Sequence, residues 1–223
     1  MPISTDSSDF VLLADVVPEI LQDIRYYSTF NFIGERIHGY EEPLALLTYK
    51  AALVIKKIAQ AAYDQGYRLL IYDAYRPQRA VNHFIAWADD PNDLRMKKYF
   101  YPRVAKGDLF DLGFIMRKSA HSRGSTVDVT LFSMDDGCVI DMGSNFDFFG
   151  ERSHADYIGT LTKQQLINRQ ILRNLMVGHD FVPLYEEWWH FTLYDEPYPD
   201  TYFDFPVTVL KKILSPEGDA ENN

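Results

Sequence analysis

The order of apolar and polar positions predicts three helices separated by short strands. Apolar residues recur at helical spacing in residues 43–66, in the proline-initiated segment 77–87 and in residues 161–177. The stripe of the first helix comprises Leu46, Ala51, Val54, Ile58 and Ala61, with Gly66 as its expected C-cap, and Gly178 is expected to end the third helix. Runs of apolar and β-branched residues predict buried strands at residues 67–75, 125–132 and 188–194.

Helices and strands are interspersed without a regular strand–helix–strand repeat. This order favours an α+β fold, a single domain with a mainly antiparallel central sheet flanked by helices, over a doubly wound fold. A length of 223 residues and a hydrophobic content of 47% suit one core. We therefore predict one domain over residues 1–214. Residues 215–223 are polar and contain Gly and Pro, so they are expected to form a disordered tail.

Charge and cysteine content narrow the classes of partner. The chain has 32 acidic and 22 basic residues, a net charge of −10, which argues against nucleic acid because phosphate binding needs clustered Lys and Arg. No apolar run approaches the roughly 18 residues of a membrane span. No secretory signal is visible either, so we expect no membrane partner and a cytoplasmic protein. The lone cysteine, Cys138, excludes a cysteine-based zinc motif.

Two motifs contain a candidate metal set. The motif SAHSRGSTVDV places His121 and Asp128 on either side of a turn at Gly124, which can bring both side chains to one surface. Asp128 lies among apolar strand residues, where a carboxylate needs a metal or a strong donor. His190, in the motif EEWWHF, supplies a third ligand. Two imidazoles and one carboxylate are a common zinc ligand set that leaves one position for water or substrate. The alternative for each histidine is a hydrogen-bonded structural role.

The residues before His190 indicate hydrolytic chemistry at such a metal. Glu187 stands three residues before His190, so it must lie in the turn before the strand if both side chains are to reach one site. There it would be the general base for a metal-activated water, a role that contributes about 10²–10⁴-fold to the rate. Glu186 is the alternative base. Trp188 and Trp189 either wall a small substrate pocket or pack in the core.

Arg76 is a further candidate for the same site. It follows an apolar strand, and Pro77 turns the chain directly after it. A fixed arginine at a strand end can stabilise a developing oxyanion. The alternative is an ion pair with Asp73 or another surface carboxylate.

Five stretches of the chain together resemble one known family. SAHSRGSTVDVTL resembles the Ser-x-His-x-x-Gly-x-x-hydrophobic-Asp signature of zinc peptidases that act on bacterial cell-wall peptides, and EEWWHF resembles their Glu-x-x-His. The other three are YDAYRPQRAVNHF, DMGSNFDFFGERSH and DEPYPDTYFDFPV. In their order along the chain, the five stretches are similar to those of the D-alanyl-D-alanine dipeptidases, the VanX-type enzymes of glycopeptide resistance and their chromosomal relatives. The resemblance extends from Tyr26 to Val207.

The resemblance implies hydrolysis of the D-Ala-D-Ala dipeptide, or of closely related D,D-dipeptides, by a metallopeptidase. One zinc ion per chain would be bound by His121, Asp128 and His190, with Glu187 as the catalytic base. Antibiotic resistance, wall-peptide recycling and nutrient use are all consistent with this activity.

The resemblance also implies three further roles. Arg76 would stabilise the tetrahedral intermediate, Asp147 would receive the free ammonium group of the substrate, and Ser119 would lie near the substrate carboxylate. Members of the family are usually α+β proteins. They are often dimeric, so a homodimer is one assembly that the resemblance allows.

Two other functions fit the same metal set. One is a D,D- or L,D-carboxypeptidase that trims stem peptides of the cell wall. The other is a zinc-containing binding module without catalysis. Glu187 and Arg76 count against the binding module, because a structural zinc site needs neither of them.

Overall fold

Five helices and ten strands occur in residues 3–210, the part of the chain that the computed structural model describes. The helices are α1 (Leu13–Val16), α2 (Tyr49–Tyr63), α3 (Gln78–Asp89), α4 (Lys97–Phe100) and α5 (Lys163–Val177). The strands are β1 (Ile3–Ser4), β2 (Phe10–Leu12), β3 (Leu21–Gln22), β4 (Leu46–Thr48), β5 (Tyr67–Asp73), β6 (Thr126–Ser133), β7 (Cys138–Val139), β8 (Phe181–Pro183), β9 (His190–Leu193) and β10 (Tyr202–Phe203). Single 3₁₀ turns occur at Lys106–Asp108, Ala120–Arg123 and Glu151–Ser153. The predicted tail lies outside the described residues.

The central sheet has six strands. Its order is β3–β5–β6–β9–β8, and β7 also pairs with β6. Only the β3–β5 pair of this sheet is parallel, and its other pairs are antiparallel. The α+β class with a mainly antiparallel sheet is therefore confirmed. Two separate two-stranded sheets, β2–β4 and β1–β10, complete the strand pairing of residues 3–210.

The core surrounds β6, which has strand partners along both edges. Val127, Val129 and Leu131 of this strand are fully buried. Helix α2 packs against β5, and α5 packs against β8. Helix α5 begins with a capping box, in which the side chains of Thr162 and Gln165 each accept a hydrogen bond from the other residue's backbone N–H.

The predicted helices all form, and the main difference is at the start of the first one. The segment Leu46–Thr48 is strand β4 rather than helix, because its backbone pairs with β2, and the Thr48 hydroxyl then caps α2. The predicted stripe is wrong at Leu46, and Val54 and Ala61 are only half-buried. The buried face of α2 consists of Ala51, Ala52, Ile55, Ile58, Ala59 and Ala62. The helix ends before Gly66, which adopts a positive φ of 86° in the turn into β5.

The three predicted strands are β5, β6 and β9, with ends that differ by one or two residues. The second and third helices begin one or two residues later than predicted, at Gln78 and Lys163, and Gly178 is the C-cap of α5 as expected. Within residues 3–210, no helix is both long and apolar enough to cross a bilayer.

Candidate active site

The floor of the site is the pairing of β6 with β9. Asp128 on β6 lies directly opposite His190 on β9, and on the other side of β6 it lies opposite Asp73 of β5. His121 comes from the 3₁₀ turn that precedes β6. The backbone register of the sheet thus brings together two of the three predicted ligands, and a short turn adds the third.

Gly124 makes that short turn possible. Its φ is 83°, in the left-handed region that favours glycine. A Cβ atom at this position would lie 2.4 Å from the ring of Phe10. The close approach of the N-terminal strand β2 therefore requires a glycine here, and the predicted turn between His121 and Asp128 is confirmed.

The three candidate ligand atoms form a nearly equilateral triangle. His121 Nε2 lies 3.1 Å from His190 Nδ1, and Asp128 Oδ1 lies 3.2 Å from each of these nitrogens. Ligand atoms at roughly 2.0–2.1 Å from a tetrahedral ion lie about 3.3–3.4 Å from one another. All three residues are buried. Within the described residues Asp128 Oδ1 has no hydrogen-bond donor. The residues present therefore fit a metal ion of the size and geometry of zinc.

Contacts behind the triangle orient His121. Its Nδ1 lies 2.7 Å from the Ala74 carbonyl, so Nδ1–H donates there and Nε2 is left as the lone-pair nitrogen that faces the triangle. Burial lowers the pKa of His121, which favours the neutral imidazole that a metal requires. Burial alone would raise the pKa of Asp128, but the adjacent His121 and His190 outweigh it and hold the pKa of Asp128 below its usual range.

Glu187 lies beside the triangle without being part of it. It occupies the turn before β9, as the alternation argument requires, and its Oε2 is 3.5 Å from His190 Nδ1. Its side chain is 12% exposed. Burial raises the pKa of Glu187 well above its usual value, and the negative charges of Asp128 and Asp147 raise it further. A carboxyl group with a raised pKa can both accept and return a proton near neutral pH.

Arg76 links the sheet to the cavity. Its Nε donates to Asp73 Oδ2 at 2.9 Å, and its Nη2 lies 3.4 Å from Asp128 Oδ2. The guanidinium also lies over the rings of Tyr26 and Phe84, at 4.9 and 5.2 Å from their centroids. The ion pair with Asp73 and a place in the site are therefore compatible, since the pairing holds the guanidinium against the cavity wall.

Asp147 is a second buried carboxylate in the same cavity. It is 4% exposed and adopts a φ of 59°, which is uncommon for a residue other than glycine. The Tyr26 hydroxyl donates to its Oδ1 at 3.3 Å, while Oδ2 has no partner within residues 3–210. Burial, followed by the charge of Asp128, raises the pKa of Asp147 well above its usual value. This carboxylate therefore has an unmet requirement for a cation or a donor.

The three candidate ligands line one cavity together with Glu187, Arg76, Asp147 and Tyr26. Its volume is about 430 Å³, in the range of small-molecule sites. Three cations line it. Arg76 is paired as described, and Arg123 makes two bonds of 2.8 and 2.9 Å to Glu196. Lys118, in contrast, has no carboxylate within 4.0 Å among the described residues. Among the described residues, the cavity therefore has one carboxylate oxygen without a partner, Asp147 Oδ2, and one ammonium group without a carboxylate, that of Lys118.

Sequence reasoning missed Tyr26 and Lys118. Lys118 stands directly before Ser119 in the histidine motif, and this adjacency was a signal that could have found it. Tyr26 lies 121 residues from Asp147 in the sequence, so no local pattern connects them. Ser119 itself lines the cavity and is 8% exposed, and its hydroxyl accepts a hydrogen bond from the His121 backbone N–H.

The two tryptophans are not among the residues that line this cavity. Trp188 and Trp189 are 5% and 0% exposed and pack edge to face against each other. Trp189 also packs against Phe146, and Trp188 Nε1 donates to the Ser144 hydroxyl. Packing in the core removes their large apolar surface from water. The structure therefore favours the core alternative over the predicted contact of these tryptophans with substrate.

A buried His–Asp–His triangle with a glutamate and an arginine in the same cavity has the groups that a metal-dependent hydrolase needs. Comparison with known families agrees. Residues 6–208 match the model of the peptidase M15 family, described as D-ala-D-ala dipeptidase, and the chain belongs to this family. The predicted family is therefore confirmed.

Individual relatives extend the comparison along most of the chain. A D-alanyl-D-alanine dipeptidase of Enterococcus faecium is 41% identical over 198 residues, which is 89% of this chain and 98% of the relative. One from Streptomyces coelicolor is 37% identical over 90% of this chain and 99% of its own length. One from Escherichia coli is 33% identical over 85% and 86% of the two chains. The residues that line the cavity all fall within the range of the family match.

Proposed function

We propose that the chain hydrolyses D-Ala-D-Ala, or closely related D,D-dipeptides, with one zinc ion bound by His121, Asp128 and His190. The observation that carries this proposal is the cavity itself, where a zinc-sized ligand triangle, a protonatable glutamate and an unpaired carboxylate lie together. The names and identities of the three relatives support the substrate.

Zinc fits the donor set, because two imidazoles and one carboxylate match its preference for nitrogen and oxygen ligands in a tetrahedron. When bound, it would polarise the scissile carbonyl and lower the pKa of a coordinated water to about 7. His121 would be held in the required tautomer by the Ala74 carbonyl.

Glu187 is assigned to proton transfer. Its carboxylate accepts a proton from the attacking water and then delivers it to the leaving amine, a role that fits its place beside the ligand triangle. Arg76, fixed by Asp73 and two aromatic rings, donates to the oxyanion that forms at the attacked carbonyl. Because the guanidinium is already held in place, little reorganisation accompanies the reaction.

Asp147 is assigned to the substrate ammonium group. Its free Oδ2 and raised pKa match a bound cation, which would restore the ionised form of the carboxylate. A blocked N-terminus would leave a buried carboxylate unpaired, at a cost of several kcal/mol. This cost favours dipeptidase over endopeptidase activity. Ser119 and Lys118, which line the same cavity, are assigned to the substrate carboxylate.

Two attributes of the enzyme stay predictions. They are a cytoplasmic location, which cell fractionation tests, and a homodimer, which analytical ultracentrifugation tests.

The proposal is tested by measuring D-Ala release from D-Ala-D-Ala, with L-Ala-L-Ala, N-acetyl-D-Ala-D-Ala and a muramyl pentapeptide in parallel. Each assay is run on protein as isolated, after chelation and after return of zinc. We expect zinc-dependent cleavage of the free D,D-dipeptide, with little activity on the other three substrates.

Three other outcomes would replace the proposal. Faster release of D-Ala from the pentapeptide would identify a carboxypeptidase. Equal cleavage of the N-acetylated dipeptide would remove the role of Asp147. Binding of one zinc per chain without any turnover would identify a binding module.

A further inference from the structure

We propose that Arg169 is a positioning residue that fixes the loop of Asp147, and thereby sets the preference for a free substrate N-terminus. The inference rests on the proposed function, because it assumes that Asp147 binds the ammonium group. Arg169 lies on α5, outside the catalytic cavity, and is assigned no role in the reaction by the active-site geometry.

The side chain of Arg169 binds both arms of the loop that carries Asp147. Its Nε donates to the Met142 carbonyl at 2.7 Å, before Asp147 in the chain. Its Nη1 donates to the His154 carbonyl at 2.9 Å and its Nη2 to the Arg152 carbonyl at 2.6 Å, both after Asp147. One rigid guanidinium thus joins the two ends of a segment whose middle residue faces the active site.

The environment of Arg169 suits a fixed clamp. The residue is 6% exposed and has no carboxylate within 4.0 Å among the described residues, so backbone carbonyls take the place of a counter-ion. Burial, together with the nearby Arg152, lowers the pKa of Arg169 to about 10, so it is charged at neutral pH. A planar fork of donors matches three carbonyls in a way that a single ammonium group cannot.

The loop needs such support because it has little regular structure. Between β7 and α5, within the described chain, its only helical turn is Glu151–Ser153. Asp147 adopts a positive φ, a conformation that persists only where the surroundings enforce it. Without the clamp, we expect the backbone around Asp147 to relax and the carboxylate to leave its place in the cavity.

The loop that Arg169 binds also contacts the segment that contains Glu187. Ser144, within the loop, accepts from Trp188 Nε1 at 2.9 Å, and the Trp188 backbone N–H donates to the Ser153 carbonyl at 2.8 Å. Trp188 directly follows Glu187. Trp188 therefore connects the loop that carries Asp147 with the segment that carries Glu187.

The test uses Arg169→Gln and Arg169→Lys in the full chain, with Arg173→Gln as the matched control. Arg173 is exposed on the same helix, and its side chain has no hydrogen bond or ion pair among the described residues. We expect Arg169→Gln to raise KM for D-Ala-D-Ala by about 10-fold to 100-fold with kcat changed much less, because the ammonium contact is made equally in the ground state and the transition state. The preference for the free over the N-acetylated dipeptide should fall in parallel.

Two readouts separate positioning from general damage. First, Arg169→Gln should have no further effect on KM in an Asp147→Asn background, since residues that act through one another are not additive. Second, hydrogen exchange should accelerate in residues 142–154 of Arg169→Gln but not of Arg173→Gln, with zinc content unchanged. Arg169→Lys keeps the charge and should recover part of the lost affinity. If Arg169→Gln does not fold, the lysine variant carries the same comparisons.

The outcomes distinguish this inference from the proposed function. Failure of the wild type to cleave D-Ala-D-Ala would overturn the proposed function, whatever the exchange rates of the loop. Normal cleavage with an unchanged KM in Arg169→Gln, or an effect additive to that of Asp147→Asn, would overturn the role of Arg169 alone.

Discussion

Two buried aspartates face one cavity from two kinds of backbone. Asp128 lies on the central strand of the sheet, with strand partners on both sides. Asp147 lies in an irregular loop at a positive φ. Neighbouring histidines hold the pKa of Asp128 low despite its burial, whereas burial raises the pKa of Asp147. The proposed function therefore assigns the same residue type to a metal at one position and to a substrate cation at the other.

The difference separates the contacts that position the ligand triangle from those that position Asp147. Ladder hydrogen bonds of the sheet place Asp128 and His190, and the short turn before β6 places His121, so the geometry of the ligand triangle is fixed along with the fold. The place of Asp147 depends on side chains that bind its loop, chiefly Arg169 and Tyr26. We therefore expect changes at the sheet to affect the chemical step, and changes at the loop to affect recognition of substrate.

The largest effect is expected on the chemical step. Glu187→Gln should lower kcat by about 10²–10⁴-fold, because an amide cannot accept the proton of the attacking water. Zinc content, measured by metal analysis, should stay at one per chain because Glu187 is not a ligand. Glu186→Gln is the control and should stay near wild type. A larger loss of kcat in Glu186→Gln than in Glu187→Gln would assign the role of the base to Glu186 instead.

Asp147→Asn should act on recognition instead. We expect KM for D-Ala-D-Ala to rise by about 10–100-fold, since a hydrogen bond to a charged group is worth ~1.5–3 kcal/mol. Cleavage of the N-acetylated dipeptide should rise, because the amide removes the buried carboxylate that a blocked N-terminus would leave unpaired. A fall in kcat with KM unchanged would place Asp147 in the chemical step and remove the contrast with Asp128.

The same substitution should stabilise the metal-free protein. The folded-state pKa of Asp147 is raised above its unfolded value, so the folded chain binds more protons and its stability falls as the pH rises above about 4. The amide that replaces the carboxyl group does not titrate. Asp147→Asn should therefore gain on the order of 1 kcal/mol over wild type in the free energy of unfolding, a gain that grows with pH. Urea denaturation of chelated protein between about pH 5 and 8 measures it, and a gain independent of pH would contradict the raised pKa.

The smallest effect is expected at Lys118. Lys118→Gln should raise KM for D-Ala-D-Ala by up to about fivefold, since exposed ion pairs contribute ~0.2–1 kcal/mol. High salt should weaken binding by wild type but not by the variant. An equal effect of the substitution on the dipeptide amide, which lacks the carboxylate, would argue that Lys118 does not contact that end.

The part of the site that lies on the sheet, around Asp128, could be predicted from the sequence. The apolar run around Asp128 predicts β6, and the spacing of Glu187 and His190 places the glutamate in a turn. Such patterns involve residues that are close together in the sequence, and pairing of the strands then brings these residues to one place in the sheet. The exception was Leu46, whose apolar side chain suits either a helix or a strand, so that pairing with the distant β2 decided the outcome.

The role of the loop that carries Asp147 could be predicted only through the family resemblance. An aspartate between aromatic residues has no periodicity, and the local pattern at Asp147 indicates only a turn. Its partner Tyr26 and the clamp Arg169 come from distant parts of the chain. An arginine on an amphipathic helix is usually a solvated residue, and nothing in the pattern of α5 distinguishes Arg169 from Arg173. The adjacent tryptophans of the EEWWHF motif were ambiguous for a similar reason, because aromatic residues suit cores and pockets alike.

The pairing of Asp128 with His190 also makes the stability of the folded chain depend on the supply of metal. His121 and His190 are 69 residues apart, so the ligand triangle exists only after non-local strands have paired. A metal held by this triangle would therefore bind the folded state in preference to the unfolded one. By mass action, each tenfold rise in free metal above its dissociation constant adds about 1.4 kcal/mol to the free energy of unfolding. Scarcity of metal would thus shorten the lifetime of the folded enzyme as well as slow its turnover.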